Sequence, residues 1–169
     1  MSLKKQSATA WYDSPLYYDM VYADYTPKET RFIEGIMKKH GPLLDGPMRV
    51  FEPACGSGRL LESLSARGHV VHGFDLNKHQ VAFAKNRLKA KGLKGRVWRD
   101  RLQDFSLPKG ARYDVAHCFV STFKYIDTEA GAVSALRRMA ASLRPGGLLL
   151  LGLHLTDYKN TPPDHERWI

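Results

Sequence analysis

At 169 residues and 19.1 kDa the chain is the size of one domain, and its 43% hydrophobic content can build a core. Two cysteines without paired spacing argue against a disulfide framework or a zinc site and fit a cytoplasmic compartment; no apolar run reaches membrane-spanning length, so no membrane partner is expected. The net charge of +9 and pI of about 9.6 leave an acidic partner open.

In chain order, residues 1–10 are polar. Trp11 to Tyr22 then crowds five aromatics into twelve residues. Ser14 is placed to N-cap a helix with Pro15 at its first position, and Tyr18 and Tyr22 then share one face. Thr26 repeats the capping signal, with Pro27 first and Glu29 completing a capping box. That helix is expected to reach about His40, with Phe32, Ile33, Ile36 and Met37 inward, and Gly41-Pro42 ends it.

An alternation follows. Strands are expected at 49–52, 69–74, 95–99, 113–119 and 147–153, and helices at 59–66, 78–91 and 129–143. Apolar strands alternating with helices mean βαβ units and a doubly wound, mainly parallel α/β sheet of about five strands. Right-handed crossovers put the ligand crevice at the carboxyl ends of the first strand and its neighbours. One domain over 1–169 is expected: N-terminal lid helices over 1–42, a core over 43–155 and a tail over 156–169.

The crevice has a signature. Val50 to Gly58 runs from a strand into a turn holding Gly56 and Gly58, which opens a helix. Glycine lets a ligand approach the backbone, and the helix N-terminus offers free donors. Glu52 stands just before the turn and Asp75 ends the next apolar run, 17 residues after Gly58 and near the spacing of a ribose-binding carboxylate. The third glycine of a dinucleotide fingerprint is replaced by Leu61, and Glu52 would repel a pyrophosphate. A ligand carrying a cationic amine beside a carboxylate fits better.

Glu52-Pro53-Ala54-Cys55-Gly56-Ser57-Gly58 resembles the first motif of the class I S-adenosylmethionine-dependent methyltransferases. Phe74-Asp75-Leu76 resembles their second motif, Arg99 to Phe105 the third region, Tyr113 to Phe119 the fourth strand, and Leu143 to Gly147 the turn before the fifth. The resemblance implies a Rossmann-like fold, S-adenosylmethionine as cofactor, and methyl transfer to O or N of a small-molecule acceptor. It implies that Glu52, Ala54, Cys55, Gly56 and Gly58 face the methionine part, Asp75 the ribose hydroxyls, and Leu76, Asp100, Arg101 and Leu102 the adenine. Phe119 would lie beside the cofactor. Tyr18 and Tyr22 would close over its sulfonium end, and Tyr18 or His154 is the candidate catalytic side chain. Plain alternatives stand beside these: a helix-capping Asp75, an Asp100 paired with Arg99 or Arg101, a core Phe119, a packing stripe of tyrosines and a strand-end His154. No metal site is expected.

The basic run of Lys85, Arg87, Lys89, Lys91, Lys94, Arg96, Arg99 and Arg101 supports a second reading, an RNA methyltransferase, against a solvated helix face, which the scarcity of interleaved aromatics favours. A cofactor-binding fragment without catalysis is a third. The resemblance usually adds two more strands as a C-terminal hairpin, missing here; the apolar ending Trp168-Ile169 favours a fragment.

Overall fold

The computed structural model describes residues 13–153. Five strands, β1 (Arg49–Pro53), β2 (Val70–Asp75), β3 (Gly95–Arg99), β4 (Tyr113–Cys118) and β5 (Leu143–Leu151), form one sheet in the order β3-β2-β1-β4-β5. Every pairing is parallel. Helices α1 (Pro15–Tyr22), α2 (Thr26–His40), α3 (Arg59–Ala66), α4 (Lys78–Ala90) and α5 (Glu129–Ser142) surround it. This is the Rossmann-like α/β fold, with the order reversing beside β1, so the crevice opens above the ends of β1, β2 and β4.

The alternation of side chains along β1 divides the core. Val50 joins Ile33, Met37, Leu61, Leu64, Val81 and Ala84 beneath α2, α3 and α4. Phe51 faces the other way and joins Phe74, Phe105, Tyr113 and Met139 against α5. Its ring stacks on Tyr113 at 4.7 Å and touches Phe105 at 5.6 Å. The interior strand β4 is buried at all six positions, as a strand covered on both faces must be. β5 pairs only with β4 among the described residues and is half-buried along most of its length.

Four local expectations change. Thr26 does not cap α2: a 3₁₀ turn, Ala23–Tyr25, leads straight in and Thr26 is already helical. The Thr26 hydroxyl donates to the Tyr22 carbonyl and accepts from Arg59, while Glu29 pairs with Arg59 instead of closing a capping box. A guanidinium only 8% exposed needs a carboxylate more than a helix end does. Ser14 precedes α1 without a side-chain cap; its carbonyl takes the Tyr17 and Tyr18 amides. Phe32 is 52% exposed rather than inward, resting near the Phe119 ring, and Ile36 is half-buried. β5 starts at Leu143, four residues early, and absorbs the Pro-Gly-Gly turn as a register shift against β4. His154 and the segment 156–169 lie outside the described residues.

Candidate functional site

A cavity of about 740 Å³ lies over the carboxyl ends of β1 and β2, lined by Ala54, Gly56, Asp75, Leu76, Asp100 and Leu102 among others, with Tyr18, Thr122, Tyr125 and Ile126 across from them. The turn at its base is sharply wound. Ala54, Gly56 and Gly58 all have positive φ (57°, 51° and 72°), and a left-handed alanine is strained where glycine would not be.

Asp75 is built in. Oδ2 accepts the Gly56 amide and Oδ1 the Asn77 amide, both at 2.8 Å. Burial raises its pKa, and the N–H groups of Asn77, Gly56 and Leu76 offset part of that rise. Capping of α4 falls to Asn77, whose side chain accepts from the His79 and Gln80 amides. Three amides occupy three of the carboxylate's roughly four lone-pair sites, so acceptor capacity for a further donor remains. Beside it Leu76 is 56% exposed, an apolar platform inside the cavity.

Asp100 also lines the cavity, but its carboxylate organises its own loop. Oδ2 accepts from Trp98 Nε1 at 3.2 Å and the Ser106 amide at 3.0 Å, and Oδ1 from the Arg101 amide at 2.9 Å. Neither flanking guanidinium pairs with it; Arg99 donates to the Leu76 carbonyl.

Several expected contacts are placed elsewhere. Gly58 serves packing: a Cβ there would meet the Ala84 Cβ on α4 at 2.8 Å, away from the cavity. Cys55 is buried beneath the turn, its amide bonded to the Phe74 carbonyl and its thiol pushed well up by burial. Glu52, Tyr22, Arg101 and Phe119 are not among the lining residues. Arg101 is exposed, and Phe119 sits between His117 and Phe32 on the α2 side. Tyr22 lies under Arg59, whose guanidinium is 5.6 Å from its ring centroid.

Glu52 ends up on that same α2 side. It is buried, and burial lifts its pKa well above the ordinary carboxylate range despite the nearby Arg59 charge. His117, on the neighbouring strand, is wholly buried and held down to about 3 by burial, with Arg59 adding to the effect.

The N-terminal helix is already closed over the turn. A Cβ on Gly56 would lie 3.1 Å from the Tyr18 ring, and Tyr18 packs on Tyr22 at 4.8 Å. α1 buries no residue of its own, so polar links hold it. Asp19 takes two hydrogen bonds from Arg87 of α4, at 2.7 and 2.5 Å, and one from Ser57 of the turn at 2.8 Å. Asp13 accepts from Asn77 Nδ2. Burial alone would raise the Asp19 pKa, but the Arg87 and Ser57 bonds outweigh it and hold the carboxyl below its ordinary value.

Sequence reasoning missed Arg59, Asp19, the partners of Arg87 and the bend at Val120 and Ser121. Arg87 belonged to the basic run, yet it and Lys91 are neutralised by Asp19 and Glu62. Val120 and Ser121 both have positive φ (56° and 53°), a strained pair that turns the 3₁₀ helix Thr122–Tyr125 toward the cavity mouth. The Ser121 amide donates to the Gly152 carbonyl and the Gly152 amide to the Cys118 carbonyl, which fixes the bend. No local residue signal marked it, because neither residue is a glycine.

Residues 50–147 match the sequence profile of a methyltransferase domain family. A ubiquinone biosynthesis O-methyltransferase of Vibrio vulnificus (strain YJ016) is 28% identical over 99 residues, covering 59% of this chain and 40% of the relative. A dTDP-3-amino-3,6-dideoxy-alpha-D-glucopyranose N,N-dimethyltransferase of Streptomyces fradiae is 28% identical over 138 residues, covering 79% of this chain and 50% of its own. The chain spans about half the length of the curated relatives it matches. Among solved structures, the sugar N-methyltransferase KedS8 from Streptoalloteichus sp. ATCC 53650 superposes with a TM-score of 0.71 at 23% identity, covering 93% of this chain and 59% of that one.

Proposed function

This chain belongs to the methyltransferase domain family, and from that premise we propose that it transfers a methyl group from S-adenosylmethionine to an oxygen or nitrogen of a small-molecule acceptor. The carrying observation is Asp75: a carboxylate pinned by the Gly56 and Asn77 amides, with acceptor capacity left over, beside the exposed Leu76 in a cavity of about 740 Å³. A ribose whose hydroxyls donate and a flat base fit that acceptor and that platform.

When bound, the cofactor supplies a methyl group on a sulfonium, an activated leaving group. The chain's own residues do the rest. Asp75 takes the ribose hydroxyls, Leu76 and Leu102 pack against the adenine, and Asp100 shapes the wall around it. Ala54 and Gly56 bring the turn backbone to the methionine part. Tyr18 covers the turn and excludes water, and its ring face favours a cation by about 0.5–2 kcal/mol. Thr122 and Tyr125 sit where an acceptor would enter. Loss of a proton from the acceptor calls for a base, for which Tyr18 and His154 are the candidates.

The small-molecule reading is supported by the relatives, named for ubiquinone biosynthesis and for an amino sugar. The RNA reading loses ground because Arg87, Lys91 and Arg99 have internal partners. Two buried free thiols, Cys55 and Cys118, suit a reducing cytosol, and no helix among the described residues is long and apolar enough to cross a membrane.

The test is a transfer assay with labelled cofactor against a panel of hydroxylated quinone precursors, nucleotide-linked amino sugars and RNA. Transfer to a small molecule that Asp75→Ala abolishes is expected. Transfer to RNA alone, with affinity falling steeply as salt rises, would replace this reading.

A further inference from the structure

Glu52 and His117 are buried polar groups that the chain leaves incompletely bonded. The Glu52 side chain is 9% exposed and that of His117 is 0% exposed. Glu52 Oε2 and both His117 ring nitrogens make no hydrogen bond. Buried polar atoms are almost always satisfied, so three orphans in one place point to a missing partner.

Their placement is fixed by the sheet. Phe51 is in register with Ala116, so Glu52 and His117 are the next pair along β1 and β4, and Nδ1 stands 3.9 Å from Oε1. That is beyond a hydrogen bond, and a side-chain rotation of about 1 Å would close it. The other groups facing Glu52 are committed. Arg59 of α3 is held by Glu29 of α2 and by Thr26. Asp75 of β2 is held by the Gly56 and Asn77 amides, and Leu61 contributes only its backbone N–H. Burial pushes the thiols of Cys55 and Cys118 up, so both stay protonated.

We infer that His117 is a positioning residue for Glu52, its Nδ1–H donating to Oε1 so that Oε2 is presented to the ammonium of an amino-acid-bearing cofactor. The inference rests on the proposed function and goes beyond it. A neutral imidazole suits the task, since it donates without cancelling the carboxylate charge. It also sets a proton balance. Burial favours the protonated carboxyl in the free chain, and an ammonium at Oε2 favours the carboxylate. Binding then releases a proton to solvent, and affinity rises with pH until Glu52 is already ionised in the free chain.

The experiment compares two probes by calorimetry in buffers of different ionisation enthalpy. S-adenosylhomocysteine carries the ammonium, and 5′-methylthioadenosine lacks it. His117→Leu should weaken S-adenosylhomocysteine roughly tenfold and leave 5′-methylthioadenosine unchanged, with melting temperature unchanged or raised because an unsatisfied buried ring is gone. His117→Asn, whose amide nitrogen stands near the Nδ1 position, should restore most of the loss. Glu52→Gln should remove the proton release. Equal affinities and equal proton release in the parent and His117→Leu overturn the inference and leave the proposed function standing. Equal loss for both probes also overturns it, as the mark of a merely structural histidine. A parent that binds neither probe overturns the proposed function and this inference together.

Discussion

The two sides of the glycine turn are built on opposite plans. On the β2 side, Asp75 and Asp100 have their oxygens bonded to amides and an indole before any ligand arrives. On the β4 side, Glu52 and His117 lie buried with polar atoms unbonded. The difference shows where rigidity is affordable. In the proposed complex a neutral ribose and base would be met by fixed acceptors, since ordering a loop on binding would cost affinity. A charged amine can repay a buried carboxylate that waits for it, because the ion pair forms out of water.

The largest expected effect breaks both sides at once. Gly58→Val places a Cβ 2.8 Å from the Ala84 Cβ in a backbone at φ 72°, so left-handed strain and overpacking together cost about 3–5 kcal/mol. Urea denaturation should show a chain largely unfolded, and a normal midpoint would show that α3 and α4 can shift apart.

Asp75→Ala acts on one side only. It strands the Gly56 and Asn77 amides and removes the proposed ribose acceptor, so stability should fall by about 2–3 kcal/mol and cofactor affinity at least about tenfold. Equilibrium unfolding and calorimetry read the two separately, and unchanged affinity would move the ribose away from Asp75.

The cover over both sides is weaker. Arg87→Met leaves Asp19 with Ser57 alone and should cost α1 about 2 kcal/mol of local stability, read as faster hydrogen exchange in residues 15–22 with the core unchanged. pH acts on the same link. The Asp19 carboxyl is held below its ordinary value, so its contribution is fully present above that value and is lost as pH falls through the lower, folded one. Exchange in α1 should therefore rise on acidification below about pH 4 in the parent and much less in Arg87→Met. Exchange that is flat with pH in the parent would mean that packing, not Asp19, holds the helix.

The smallest effect sharpens the turn itself. Ala54→Gly relieves a residue at φ 57° by about 1–2 kcal/mol, offset by about 0.5–1 kcal/mol of glycine's extra freedom in the unfolded chain. A melting temperature unchanged or slightly raised is expected, and a clear fall would mean that the alanine methyl packs usefully against the cavity.

Local pattern by itself determined the five strands and the helices between them, because apolar alternation and the Gly-rich turn are written in neighbouring residues. It also put Asp75 and Leu76 at the end of the second strand, because their distance from the glycine turn follows from one βαβ unit. Tertiary structure alone decided which residues meet across the sheet and beneath the lid. Asp19 meets Arg87 and Ser57 across separations of 68 and 38 residues, and Arg59 meets Thr26 across 33. Glu52 read as a lone acid before the turn, and only its register beside His117 of β4 makes it half of a buried pair. Gly58 read as room for a ligand, yet its neighbour is Ala84 on a helix that begins twenty residues later. The physical reason is common to all of them. Periodicity reports which face of an element is apolar, but a charge finds its partner only when the crossover connections have placed the elements side by side.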